Sequence, residues 1–226
     1  MNAKQLAAEK AVEFVKDGMT VGLGTGSTAF YAIKKLGELV AEGLKIKAVA
    51  SSLASAEIAK QEGILLAGMM EISQIDVTID GADEVDEHFN LVKGGGGALT
   101  REKILAFNSR KFIVIVDQSK LCKKLGTFPV AVEVIPFGWN LTCSQLEALG
   151  CTATVRKSEE QFYKTDNGNW ILDCRFDEIS IPAELNTAIQ SIPGVIENGI
   201  FPSSVVDMVI AGFENGEVKV FKNSRT

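Results

Sequence analysis

The sequence predicts an α/β fold: a mostly parallel sheet with a smaller α+β unit inserted before the C-terminal strands. Three observations carry this. The runs MTVGLG, KIKAVA, QIDVTID and KFIVIVD read as short buried strands. They alternate with amphipathic stretches of helical length, as βαβ units do. Near residue 129 the style changes to β-branched strands with turn signals between them, and near residue 204 it changes back. The expected division is therefore 1–128 plus 204–226 for the main domain and 129–203 for the small one.

Each element has a local reason. Residues 3–16 carry a helical apolar period that Gly18 stops. After MTVGLG, residues 27–41 form a helix with Ser27 as N-cap. KIKAVA is a strand, and LASAEIAKQEG is a helix closed by Gly63. ILLAG and QIDVTID are strands, ALTREKILAFNS is a helix, and KFIVIVD is the most apolar strand. In the insertion, PVAVEVIPF is a strand and LTCSQLEALG a helix. TATVRK, QFYKT and NWILDCRF are further strands, the last two joined as a hairpin by Asp166-Asn167-Gly168. AELNTAIQSIPG is a helix. SVVDMVIAG then returns to the first sheet, and Glu214-Asn215-Gly216 turns it into EVKVF.

Composition narrows the function classes. The 226 residues carry a net charge of −6, with both signs dispersed. No basic run exceeds two residues, which argues against nucleic acid or an anionic membrane as partner. No apolar run approaches the roughly 20 residues of a membrane span, and the N-terminus lacks the apolar core of a signal peptide. Cys122, Cys143, Cys151 and Cys174 are scattered with no C-x-x-C, suggesting neither zinc nor a disulfide framework. Free thiols fit the cytoplasm.

Ligands of open parallel sheets bind beyond the carboxyl ends of the strands, and four loops there carry unusual residues. GLGTGST, Gly22–Thr28, offers glycine backbone, a helix N-terminus and hydroxyls to an anion. It fits neither the dinucleotide fingerprint, because Ser27 stands where a glycine is needed, nor the P-loop. Ser51-Ser52 also replaces the acid that would read a ribose. A small phosphate monoester fits better. DGADE, Asp80–Glu84, puts three carboxylates in five residues. Asp80 and Asp83 are candidates to hold sugar hydroxyls and move their protons. LVKGGGGALTREK places Lys93 before four glycines and Glu102 in the first turn of the next helix. Glu102 is a candidate general base and Lys93 a candidate oxyanion stabiliser. DQSK ends on Lys120, a phosphate counter-charge. Taken singly, each loop is explained as a turn, a helix-end charge or a solvated lysine. Their coincidence at the strand ends of one sheet favours a site. His88, the single histidine, lies in a surface turn beside Asp86 and Glu87, and no metal-ligand spacing is visible.

Such a set suits aldose–ketose isomerisation of a sugar phosphate. A carboxylate moves a proton between C2 and C1 while a cation steadies the enediolate oxygens. Triosephosphate isomerase uses a glutamate base in this way.

In this order, GLGTGST, TIDGADE, LVKGGGGALTREK, IVDQSK and PVAVEVIPF resemble ribose-5-phosphate isomerase A, from about residue 10 to residue 220. The resemblance implies a Rossmann-like domain with a smaller ferredoxin-like one. It implies interconversion of ribose 5-phosphate and ribulose 5-phosphate in the pentose phosphate pathway, without metal or organic cofactor, by a homodimer or tetramer. Residue by residue, it makes Glu102 the base and Asp80 and Asp83 the groups that hold hydroxyls and assist ring opening. Lys93, Gly94, Gly95 and Gly96 match a substrate-binding KGGG. Gly81 and Ala82 lie within DGAD; Thr25, Gly26, Ser27 and Thr28 form another binding loop; Lys120 matches the lysine after IVD. Two stretches depart from the pattern: FPSSVVDMVI keeps Asp207 but lacks a basic residue before it, and WNLTCSQL lacks arginines. The competing readings are a CoA transferase-like enzyme with Glu102 as nucleophile, an amino-sugar phosphate deaminase, and a non-catalytic sugar-phosphate sensor.

Overall fold

A computed structural model describes residues 2–224. The described chain divides into two compact units. The first runs to Ala82, takes in Arg101–Leu121, and resumes at Val205. The second holds Asp83–Thr100 and Cys122–Ser204.

The first unit is built on a six-stranded sheet. In chain order its strands are β1 (Thr20–Leu23), β2 (Lys47–Ala50), β3 (Val77–Gly81), β6 (Phe112–Asp117), β14 (Met208–Gly212) and β15 (Val218–Lys222). Between them come β4 (Glu84–Val85), β5 (Leu91–Val92), β7 (Val130–Val134), β8 (Thr152–Val155), β9 (Lys157–Ser158), β10 (Gln161–Phe162), β11 (Trp170–Arg175), β12 (Val195–Asn198) and β13 (Ile200–Phe201). The sheet order is β15-β14-β6-β3-β1-β2, parallel except for the antiparallel edge β15. Strands buried on both faces need continuous apolar runs rather than alternation. Phe112, Ile113, Val114, Ile115 and Val116 accordingly all lie buried.

Helices α1 (Ala3–Val12), α2 (Ser27–Ala41) and α3 (Leu53–Gln61) belong to this unit. On α2, Ala29, Ala32, Ile33 and Leu36 fall on one face and are buried. Small residues bring α1 close to β14: a Cβ on Gly212 would lie 1.9 Å from the Ala3 carbonyl oxygen. Asp207, retained in the divergent FPSSVVDMVI stretch, accepts the Phe112 N–H at 2.7 Å and ties β14 to β6.

The second unit has a four-stranded antiparallel sheet, β12-β7-β11-β8, with helices α5 (Trp139–Glu147) and α6 (Pro182–Gln190). Strand β7 shows the period of two plainly. Val130, Val132 and Val134 enter the main cluster of this unit, whereas Ala131 packs with Leu99 and Ile171. A three-stranded sheet, β13-β5-β4, and the β9–β10 hairpin complete it. Helix α4 (Leu99–Phe107) begins here and continues into the first unit.

The mixed α/β class with a mostly parallel central sheet is as expected. Several details differ. Residues 83–100 and 122–128 go with the second unit, where β5 pairs with both β4 and β13 and Glu84 holds the Gly126 and Phe128 N–H groups. ILLAG contributes only an isolated bridge, Leu66 to Ala48. The first helix ends at Val12, where Phe14 and Val15 bond back to Ala11 and Val12. Ser27 is not a cap but the first helical residue. Gly26 caps instead, at φ 103°, a region glycine enters without strain. The Asn167-Gly168 turn forms, with Gly168 at φ 85°, yet it joins no hairpin. β10 pairs with β9, and β11 pairs with β8 and β7. Among the described residues, no helix is long and apolar enough to cross a membrane.

Candidate active site

In the first unit, the site residues gather at the ends of β1 and β3. The backbone of Gly24 lies against Asp80, and an added Cβ would sit 2.6 Å from the Asp80 Cα. That approach lets the Thr25 N–H donate to Asp80 Oδ1 at 3.0 Å, and the Gly81 N–H reach the same oxygen at 2.7 Å. Asp80 is fully buried. The Thr25 hydroxyl is held by Ser51 at 2.7 Å and Ser52 at 2.8 Å, while Ser55 donates to the Gly24 carbonyl at 2.7 Å. The serines that stand in place of a ribose-reading acid therefore set the shape of the glycine loop.

Gly26, Ser27 and Thr28 open α2 and present its N-terminal N–H groups. The sequence alone did not point to Lys4 here. Its ammonium donates to Ser27 Oγ at 2.9 Å, and it shares a cavity of about 570 Å³ with Thr25, Gly26, Ser27 and Tyr31. Lys120 ends a short 3-10 turn after β6, where the Asp117 side chain accepts the Ser119 N–H at 2.9 Å. Burial by itself would raise the Asp117 carboxyl. The Ser119 hydrogen bonds and the charges of Lys4 and Lys120 outweigh it and hold the group below its ordinary value. Two lysines are thus near one carboxylate at this end of the sheet. Glu102 lies in the first turn of α4 and is 3% exposed.

The second unit contributes Asp83, Lys93 and the glycine run. Asp83 Oδ2 accepts the Gly95 N–H at 2.8 Å. Lys93 is 2% exposed, its N–H donates to the Gly199 carbonyl at 2.8 Å, and its ammonium lies 5.4 Å from the Phe201 ring centroid. Three of the four glycines are required by the chain's own atoms. A Cβ would fall 2.7 Å from Ala131 at Gly94, 2.8 Å from Asp83 at Gly95, and 2.2 Å from the Tyr163 hydroxyl at Gly97. Gly94 and Gly97 also have φ of 108° and 77°.

The three carboxylates of DGADE do not crowd one another. Asp80 takes the Thr25 loop and Asp83 the glycine run. Buried Glu84 accepts the Gly126 and Phe128 N–H groups, each at 2.8 Å, and is structural. His88 is exposed.

The family model described as ribose 5-phosphate isomerase A (phosphoriboisomerase A) matches residues 47–216. The chain belongs to the ribose 5-phosphate isomerase A family. A family member from Bacillus mycoides (strain KBAB4) is 48% identical over 217 residues, spanning 96% of this chain and 98% of its own. The ribose 5-phosphate isomerase A structure from Methanocaldococcus jannaschii superposes with a TM-score of 0.91 at 43% identity, covering 97% of each chain. A D-ribose-5-phosphate isomerase solved in complex with phospho-erythronic acid gives 0.93 at 41% identity, covering 98% of this chain and 100% of its own.

Proposed function

We propose that the chain interconverts D-ribose 5-phosphate and D-ribulose 5-phosphate through an enediolate, with Glu102 as the base. Membership of the isomerase A family supports the reaction. The observation that carries the base is burial: a glutamate at 3% and a lysine at 2% exposure stand nine positions apart, flanking one glycine run. Taking ionisable groups out of water is costly, and sites of chemistry are one place where folds retain them. Glu84 and Glu133 are buried too, but as acceptors that tie turns and strands together, whereas Glu102 and Lys93 flank the glycine run.

The roles follow from the chemistry. Asp80 and Asp83 hold hydroxyls and pass protons as the ring opens. The Glu102 carboxylate takes the C2 proton of the open aldose, and the electron pair moves to form the C1–C2 double bond of the enediolate. The Lys93 ammonium offsets the negative charge that develops on oxygen. Glu102 then returns the proton to C1 while a proton passes from the C2 oxygen to the C1 oxygen, giving the ketose. The phosphate sits on the N–H and hydroxyl groups of Thr25–Thr28, with Lys4 and Lys120 as counter-charges. No electrons leave the substrate, so the proposed steps call for no redox cofactor, and Lys93 carries the oxyanion charge that a metal ion could otherwise offset. We place the enzyme in the cytoplasm, in the pentose phosphate pathway, as a homodimer.

The test is turnover of ribose 5-phosphate by the purified parent in excess chelator, beside Glu102→Gln. The parent turns over, and the folded variant loses about 10²–10⁴-fold in kcat while KM changes little. A folded Glu102→Gln with parental kcat would remove Glu102 as base.

A further inference from the structure

We propose that Arg156, held in place by Asp173, is a positioning residue for the glycine run. It draws the carbonyls of this run to one side so that the Gly96 N–H is presented on the other, the Gly95 and Gly97 N–H groups being taken by Asp83 and by the Gly94 carbonyl. This rests on the assignment of Lys93 and Gly94–Gly96 to substrate binding.

Arg156 lies between β8 and β9, far from the run in sequence. Its backbone is fixed on both sides: its N–H donates to the Ile171 carbonyl at 2.8 Å, and its carbonyl accepts the Tyr163 N–H at 2.9 Å. The guanidinium forks onto the Asp173 carboxylate, with Nε 2.9 Å from Oδ2 and Nη2 on Oδ1. That leaves Nη1 aimed at the glycines, 2.8 Å from the Gly94 carbonyl oxygen and 3.2 Å from that of Gly95. The next carbonyl, of Gly96, meets the Tyr163 hydroxyl at 3.5 Å. The Tyr163 ring in turn lies 5.8 Å from the guanidinium carbon. Three successive carbonyls are therefore met from one side by donors of the β8–β11 region.

Peptide geometry gives the consequence. Among the described residues no peptide is cis. In a planar trans peptide the N–H points opposite to the C=O. The peptide between Gly94 and Gly95 shows this directly, since its carbonyl is held by Arg156 and its N–H by Asp83 Oδ2. The peptide between Gly95 and Gly96 has its carbonyl on Arg156, so the Gly96 N–H is directed away from the guanidinium. A permanent cation on the carbonyls also polarises these peptides and strengthens their N–H groups as donors. Lysine does not replace this fork, because an ammonium lacks the planar, fixed set of donors.

Glycine needs such a clamp. Four consecutive glycines have little conformational preference of their own, and ordering them is entropically costly. The steric fit at Gly94, Gly95 and Gly97 says which conformations are allowed. Arg156 selects which way the peptides face.

The experiment measures kcat, KM and thermal midpoint for Arg156→Ala, Arg156→Lys, Asp173→Asn and Lys93→Ala, using ribose 5-phosphate. Folded Arg156→Ala is expected to lose up to about 100-fold in kcat/KM, mainly in kcat, as displaced groups do. Arg156→Lys should recover only part of this, and Asp173→Asn should show a smaller loss of the same kind. Added guanidinium ion should restore turnover of Arg156→Ala saturably without raising its thermal midpoint, which a merely structural arginine would not do. Parental kcat in folded Arg156→Ala, or no rescue by guanidinium, overturns the proposal. Should Arg156→Ala fail to fold, parental turnover in folded Asp173→Asn overturns it equally. If Lys93→Ala turns over like the parent, the assignment of the segment fails instead. An impaired Lys93→Ala beside unimpaired Arg156 variants sinks the clamp alone.

Discussion

At the scale of single residues, close backbone approach decides more than side-chain chemistry. Gly24 stands against Asp80 so tightly that a methyl group would meet Oδ1 at 2.1 Å and Cγ at 2.3 Å. Neither the end of β1 nor that of β3 yields easily, since both are buried in a parallel sheet. Gly24→Ala is expected to lower stability by about 1–3 kcal/mol, as overpacking does. It should lower turnover further still, because Asp80 and the Thr25 loop shift together; urea unfolding and turnover on one preparation check both. A second residue gives a pH-dependent test. Burial raises the Cys122 thiol, with the charges of Glu84 and Asp86 adding to it, to about 11. An unfolded cysteine loses its proton near 8.5. The unfolded state thus binds fewer protons between those values, and this thiol's contribution to stability is present below pH about 8.5 and lost as pH rises toward 11. The thiolate is the nucleophile, so alkylation of Cys122, mapped by mass spectrometry, should be slow at pH about 8 and quicken toward pH 11. Ready labelling of the folded protein at neutral pH would contradict this.

At the scale of elements, one buried carboxylate ties a strand to two distant turns. Glu133 on β7 is fully buried. Its Oε1 accepts from Thr165 at 2.9 Å, Asn167 at 3.1 Å and Asn169 at 2.8 Å, and its Oε2 accepts from Thr100 in the first turn of α4. Glu133→Gln sets an amide donor among these donors, so a loss of about 1–3 kcal/mol is expected in urea unfolding. An unchanged midpoint would mean that the network is not needed. The same network explains what was legible in sequence. The Asp-Asn-Gly signal located the turn, because glycine at positive φ is a local requirement. It could not give the pairing, because Thr165, Asn167 and Asn169 answer to a strand more than thirty positions earlier. The central sheet was readable because strands buried on both faces announce themselves as apolar runs. The strand-end loops were readable because glycines, carboxylates and lysines gathered there. Lys4 and Arg156 were not, since their partners lie 23 and 62 positions away and nothing in their own neighbourhoods marks them.

At the scale of the whole molecule, the net charge of −6 opposes the proposed substrate. A phosphate monoester is itself close to a dianion near neutral pH, so the long-range field of the chain does not draw it in. Attraction has to come from a local arrangement of cations, which Lys4 and Lys120 at the ends of α1 and β6 supply within the first unit. Exposed charges act over about 10 Å at 0.1 M salt and over less as salt rises. Raising salt from about 0.05 to about 0.5 M should therefore raise KM for ribose 5-phosphate roughly three- to tenfold. It should leave kcat nearly constant, because Glu102 and Lys93 are buried and poorly screened. Lys4→Ala should raise KM at low salt and flatten its dependence on salt, with kcat largely kept, since the lysine bonds Ser27 in the proposed phosphate loop and is not among the groups proposed to move the carbon proton. The two parameters separate the site into parts. A salt-dependent kcat would show that the reacting end is open to solvent ions, and a Lys4→Ala enzyme with the parental salt slope would remove Lys4 from phosphate binding.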